Sequence, residues 1–160
     1  LVFAKSYNIK AALQDQWEDT EKKYIAVVHG RMNPKEGMIT SYLAENKAFK
    51  VYSTDDPEKG KLSHTAYKTL RESDIFSLLE ITLVTGRKNQ IRVHMADKGH
   101  PIVGDRKYGY SDDPCKRLSL HAKSITFQHP NTGQKVTYDT KIPAEFERLK
   151  KIRVNTEAYP

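Results

Sequence analysis

Thr85-Gly86-Arg87-Lys88-Asn89-Gln90-Ile91-Arg92-Val93-His94-Met95, running on through residues 96–109 as ADKGHPIVGDRKYG, is the stretch on which the reading of this chain turns. Ile91 and Met95 fall on one face of a helix and Gly99 supplies its C-terminal stop. The preceding β-rich run, Ile75 to Thr85, therefore hands over here to a short helix. Two arginines, a lysine and two amides crowd the handover. Amides at a helix N-terminus with Arg and Lys beside them make an anion site suited to a phosphate or a carboxylate. Basic first turns also occur on ordinary solvated helices, so these residues alone leave both readings open.

Upstream, Ile9, Ala12, Leu13 and Trp17 recur at helical spacing, which predicts an amphipathic helix over Ala4 to Asp19 with its apolar stripe toward a sheet. β-rich runs come next at Lys22–Gly30, Gly37–Ala44, Ala48–Ser53 and Leu62–Arg71, separated by linkers rich in Asn, Asp, Pro and Gly. Downstream, Leu118–Phe127 alternates, Asn131-Thr132-Gly133-Gln134 turns, and Lys135–Ile142 completes a hairpin. Pro143 then opens a closing helix carrying Phe146, Leu149 and Ile152. Successive strands with few helices predict an α+β fold around a mixed, mainly antiparallel sheet. The length, 160 residues, suits one domain spanning residues 1–160.

Lys and Arg number 27 against 20 Asp and Glu, a formal net charge of +7 with pI near 9.4, which favours a polyanionic partner such as nucleic acid. The single cysteine, Cys115, excludes an internal disulfide and a thiolate zinc site, and points to a reducing, cytoplasmic setting. The six histidines show no ligand-like pairing, so no metal is expected. No run approaches the roughly 20 apolar residues of a membrane span. Nucleophile-elbow, Walker, dinucleotide-binding and zinc-protease motifs are missing. The chain opens without methionine on Leu1-Val2-Phe3, a strand-like apolar run that reads as cut by truncation or proteolysis.

The stretch TGRKNQIRVHMADKGHPIVGDRKYG closely resembles the T-G-R-x-H-Q-I-R-V-H-x-x-x-x-G-H-P-I-x-G-D-x-x-Y-G signature of the RluA family of RNA pseudouridine synthases. KKYIAVVHG and LSLHAKSITFQHPNTG are similar to two further blocks of that family, in the same order, and LVFAKS is similar to the residues just after its H-R-L-D-x-x-T-S-G-L segment. The resemblance runs from Leu1 to about Val154. It implies the larger C-terminal part of a catalytic domain that isomerises uridine to pseudouridine in ribosomal or transfer RNA, without a cofactor.

By that resemblance the nucleophilic aspartate belongs to the H-R-L-D segment, which this sequence lacks. The chain alone is then expected to be inactive, with the missing N-terminal segment as a partner. Arg92 matches the arginine that pairs with the aspartate, and Tyr24 the active-site tyrosine that stacks on the flipped uracil. Leu120, with Ile91, corresponds to an apolar pocket floor. Arg87, Lys88 and Gln90 are expected at backbone phosphates, with Arg106 and Lys107 extending the basic surface. Asp105 reads as a turn-forming aspartate after glycine. Asn89 stands where the family has histidine, and keeps a donor and an acceptor without a titrating ring. The alternative reading is a non-catalytic RNA-binding module derived from the same fold.

Overall fold

The computed structural model describes residues 2–111, 113 and 115–149. The elements run α1 (Tyr7–Asp15), β1 (Glu21–His29), β2 (Glu36–Glu45), β3 (Val51–Thr54), β4 (Lys61–Glu72), β5 (Phe76–Leu83), α2 (Gln90–Asp97), β6 (Leu120–Gln128), β7 (Lys135–Asp139) and α3 (Ala144–Leu149). The strands form one sheet in the order β3-β2-β4-β5-β1-β6-β7. Every pairing among the described residues is antiparallel, so the parallel component expected of a mixed sheet is not among them.

β1 lies inside the sheet, between β5 and β6, and is covered on both faces. This explains its unbroken apolar run Ile25-Ala26-Val27-Val28, since a strand buried on one side alone would alternate. Ala26 and Val28 pack with Leu79 and Ile81 beneath Ile91 and Met95 of α2. Ile25 and Val27 pack with Phe76 and Leu78 against Val103 and Phe146 of α3. Ile152, expected on the closing helix, lies outside the described residues, as does the side chain of Leu149.

α2 is buried nearly all round: Gln90, Ile91, Val93, His94 and Met95 are all interior. It starts at Asn89, whose φ of 55° is left-handed, a conformation that Asn tolerates better than most residues. Beyond it, Gly104 has φ +77°, and a Cβ there would stand 1.9 Å from the carbonyl oxygen of Arg117. Only glycine lets the segment before β6 pass this close, so Gly104 is locked against the backbone of Arg117.

Three further expectations shift. The helix expected over Ala4 to Asp19 runs only from Tyr7 to Asp15, its start capped by Ser6 Oγ, which accepts from the Ile9 amide. Val2 to Ala4 form no strand, and Phe3 is 84% exposed. β3 starts at Val51 rather than Ala48 because Asn46 Oδ1 accepts from the amides of Ala48 and Lys50, closing an Asx-type turn over those residues. Among the described residues no helix is long and apolar enough to cross a membrane.

Candidate active site

Arg92 projects from α2 toward the loop after Gly104. Its Nε and Nη2 each donate to Asp105, to Oδ2 and Oδ1, both at 2.7 Å. Asp105 Oδ1 also accepts from the amides of Lys107 (2.9 Å) and Tyr108 (3.0 Å), so the carboxylate is both turn former and arginine partner. Its side chain is wholly buried and that of Arg92 is 21% exposed. Burial would push the Asp105 carboxyl up, but hydrogen bonds from Arg92 and from the two amides outweigh it and hold it below the usual carboxylate value. The same pairing raises the Arg92 pKa.

The pair occupies the Nε–Nη2 edge of the guanidinium. Its Nη1 end carries a longer bond, 3.3 Å, to Asn89 Oδ1, while Asn89 Nδ2 donates to the Tyr108 hydroxyl at 3.3 Å. Asn89 thus uses its acceptor and its donor at once, with no demand for a titrating ring. The Tyr108 ring lies under the Arg92 guanidinium, 5.0 Å from its carbon, and its hydroxyl accepts from the Val51 amide at 3.0 Å. Tyr108 therefore ties the arginine to the β2–β3 hairpin. It is visible in the motif as the tyrosine before Gly109, but nothing in its spacing assigns it this place.

Tyr24 stands on β1 opposite Ile81 and Ala122. It and Leu120 flank the apolar cluster that contains Ile91, so these three expected pocket residues share one neighbourhood, with Arg92 next in the chain to Ile91. Ile91 itself is buried at 5% exposure. Burial pushes the Tyr24 hydroxyl above the usual tyrosine value. A cavity of about 1080 Å³ opens beside it, walled by Ile9, Leu13 and Trp17 on one side and by Tyr24, Ile125 and Phe127 on the other.

The basic residues divide. Lys88 and Arg106 are exposed, and Lys107 reaches the β2–β3 hairpin, where its Nζ donates to Phe49 O at 2.8 Å. Lys88 pairs with Glu45. Arg87 lines a recess of about 400 Å³ with Lys59, Lys61 and Lys88, and its Nε is buried without a hydrogen-bond partner. Gln90 departs from the expectation of a phosphate contact. It is 2% exposed; its Nε2 donates to His64 O and Thr65 Oγ1, and its Oε1 accepts from Thr85 Oγ1 and the Arg87 amide. All four valences are used internally, so it braces the strand-to-helix turn rather than meeting phosphate.

His94, one turn on, is buried between Thr65 Oγ1 on Nδ1 (2.8 Å) and Ser41 Oγ on Nε2 (3.0 Å). Burial pushes its pKa down to about 4. It holds α2 against β2 and β4 as a neutral ring. Among the described residues no three His, Cys, Asp or Glu side chains gather as a metal site.

A family model described as RNA pseudouridylate synthase matches residues 1–97, a span that includes Tyr24 and Arg92 but stops short of Asp105. The chain is 33% identical over 153 residues to an uncharacterized RNA pseudouridine synthase, YhcT, of Bacillus subtilis (strain 168), covering 93% of this chain and 50% of that protein. It is 36% identical over 155 residues to the ribosomal large subunit pseudouridine synthase C of Rickettsia conorii (strain ATCC VR-613 / Malish 7), covering 92% and 51%. The chain spans about half the length of the curated relatives it matches. Among solved structures, human RNA pseudouridylate synthase domain containing 1 superposes with a TM-score of 0.75 at 25% identity, covering 86% of this chain and 62% of that one.

Proposed function

Because the chain belongs to the RNA pseudouridylate synthase family, we propose that it forms the greater part of a site that isomerises uridine to pseudouridine in RNA. In that reaction the bond from C1′ to N1 breaks and one from C1′ to C5 forms, while C5 gives up a proton and N1 gains one, so no cofactor is needed. Arg92 holds the nucleophilic carboxylate ionised and oriented. Tyr24 stacks on the extruded base, above a floor formed by Leu120 and Ile91. Its hydroxyl, protonated near neutral pH as in any tyrosine and held more firmly so by burial, serves as a hydrogen-bond or proton donor rather than a base.

The observation that carries this reading is the way Asp105 takes one edge of Arg92 and leaves the Nη1 end with only the longer Asn89 bond. A second carboxylate fits that end-on edge of the fork. Asp105 is itself unsuited to nucleophilic attack, since it is wholly buried and its oxygens already accept four hydrogen bonds. By the family resemblance, whose aspartate belongs to the H-R-L-D segment that this sequence lacks, we assign the nucleophile to polypeptide outside these residues, and the apolar cavity beside Tyr24 offers that segment a place against the sheet. Arg87, Lys88, Arg106 and Lys107 are assigned to backbone phosphates.

The substrate we propose is ribosomal RNA of the large subunit, on the strength of relatives named for it, with transfer RNA as the competing outcome. Arg92→Lys tests the site in a polypeptide that includes the aspartate. A point charge cannot reproduce the fork, so turnover per bound RNA should fall at least tenfold while RNA affinity changes less than about threefold. Affinity lost with turnover per bound RNA unchanged would defeat the assignment of Arg92.

A further inference from the structure

Phe49 is the residue at the β2–β3 turn whose placement the packing of the fold does not explain. It is 70% exposed and has φ 56°, a left-handed conformation that is rare for a bulky side chain. The turn around it is nonetheless held firmly. Its amide donates to Asn46 O (2.9 Å), Asn46 Oδ1 takes the amides on either side, and its carbonyl accepts from Lys107 Nζ (2.8 Å). One cation lies over the ring, Lys88 Nζ at 5.7 Å from its centroid, and Lys88 also pairs with Glu45; Lys50 and Lys107 lie against the Tyr108 ring, which also carries Arg92. A well-fixed backbone outlier presenting an apolar ring to solvent is the kind of strain that persists at ligand sites.

We infer that Phe49 is a stacking platform for an unpaired RNA base flanking the target nucleotide, with Lys50 and Lys88 taking the adjoining phosphates. The inference rests on the proposed function, since RNA is the occupant. It adds a contact outside the family signature. An aromatic face set among cations is the general solution for binding a single strand without reading its sequence. Charge complementarity selects this occupant over an apolar partner, because docking a protein here would bury Lys50 and Lys88 beside the ring.

The test pairs Phe49→Gly with Phe49→Trp and measures binding of fluorescently labelled single-stranded and duplex RNA to the 160-residue chain by anisotropy, alongside urea unfolding. Glycine relieves the left-handed backbone, so stability should hold or rise while affinity for the single strand falls roughly 5- to 150-fold, the range for one stacked base. Duplex affinity should be unchanged, and Phe49→Trp should restore single-strand binding. An affinity within twofold of the unaltered protein, or equal losses on single strand and duplex, would overturn the platform alone. If neither the unaltered chain nor a polypeptide extended through the aspartate-bearing segment binds RNA, the proposed function falls with it.

Discussion

Replacing Asp105 by Asn is the sharpest perturbation of the arginine site, because it removes a charge while almost preserving shape. Asp105 Oδ1 serves Arg92 Nη2 and two amides, and Oδ2 serves Arg92 Nε. An asparagine can keep the first set with its oxygen, but its NH2 then points at the Nε–H of Arg92, donor against donor. Rotating the amide by half a turn moves the conflict to Lys107 and Tyr108. One charge-assisted hydrogen bond is worth about 1.5–3 kcal/mol, and breaking a buried ion pair costs about 3–5 kcal/mol. Arg92 keeps 21% exposure, so water can partly take over its solvation, and we expect Asp105→Asn to cost about 2–4 kcal/mol. Urea unfolding measures this directly, and a double-mutant cycle with Arg92→Ala should return a coupling of about 2 kcal/mol. The Asp105 pKa is lowered in the folded state, so the pair's contribution is complete above the unfolded carboxylate value, about 3.9, and is lost as pH falls below it. A stability within about 0.5 kcal/mol of the unaltered chain at neutral pH, or a coupling near zero, would refute the assignment of Asp105 as the partner that fixes Arg92.

The packing sets three further outcomes. His94 is neutral when folded, with its pKa pushed down to about 4 from an ordinary 6.5, so the unfolded chain binds more protons between those values. Stability should therefore fall by up to about 3 kcal/mol as pH drops from 6.5 to 4, and His94→Asn should remove that slope; a parallel pair of pH profiles would sink the idea. Gly104→Ala places a methyl 1.9 Å from the Arg117 carbonyl oxygen at a left-handed φ, which should cost several kcal/mol or abolish folding, read as a lost cooperative transition. Lys88→Ala should flatten the salt dependence of RNA binding by about one counterion, whereas Gln90→Ala should lower stability and leave the salt slope alone; the reverse pattern would show Gln90 at phosphate after all.

Local chemistry in the sequence located most of the elements, though not the bounds of α1 or the start of β3. The alternation of Leu118–Phe127, the turn residues Asn131 to Gln134 and the glycine stop at Gly99 each reappear in the fold within a few residues. The order of the strands was not legible, because β1 finds β5 and β6 through pairings some 50 to 105 residues distant in the chain, for which its own residues carry no signal beyond an unbroken apolar run. In the candidate site, Asp105 was legible as a turn former from the glycine before it, but not as the partner of Arg92, which needs the helix and the loop set side by side. Gln90 misled for the opposite reason. An amide in a basic turn has the composition of a phosphate contact, and only burial reveals that its four valences are spent inside. Phe49 carried no warning at all, since its left-handed backbone is set by Asn46 and Lys107 rather than by its own side chain.

Tritium release from RNA labelled at uridine C5 separates the proposed reading, in which these residues complete a uridine isomerase whose nucleophile lies elsewhere in the polypeptide, from its rivals: the 160-residue chain is compared with a polypeptide extended upstream through an aspartate-bearing segment. Release from the longer polypeptide alone, abolished when its aspartate is changed to asparagine, is the result predicted. Release from the 160-residue chain by itself would contradict the placement of the nucleophile, and silence from both with RNA still bound would make this a binding module rather than a synthase.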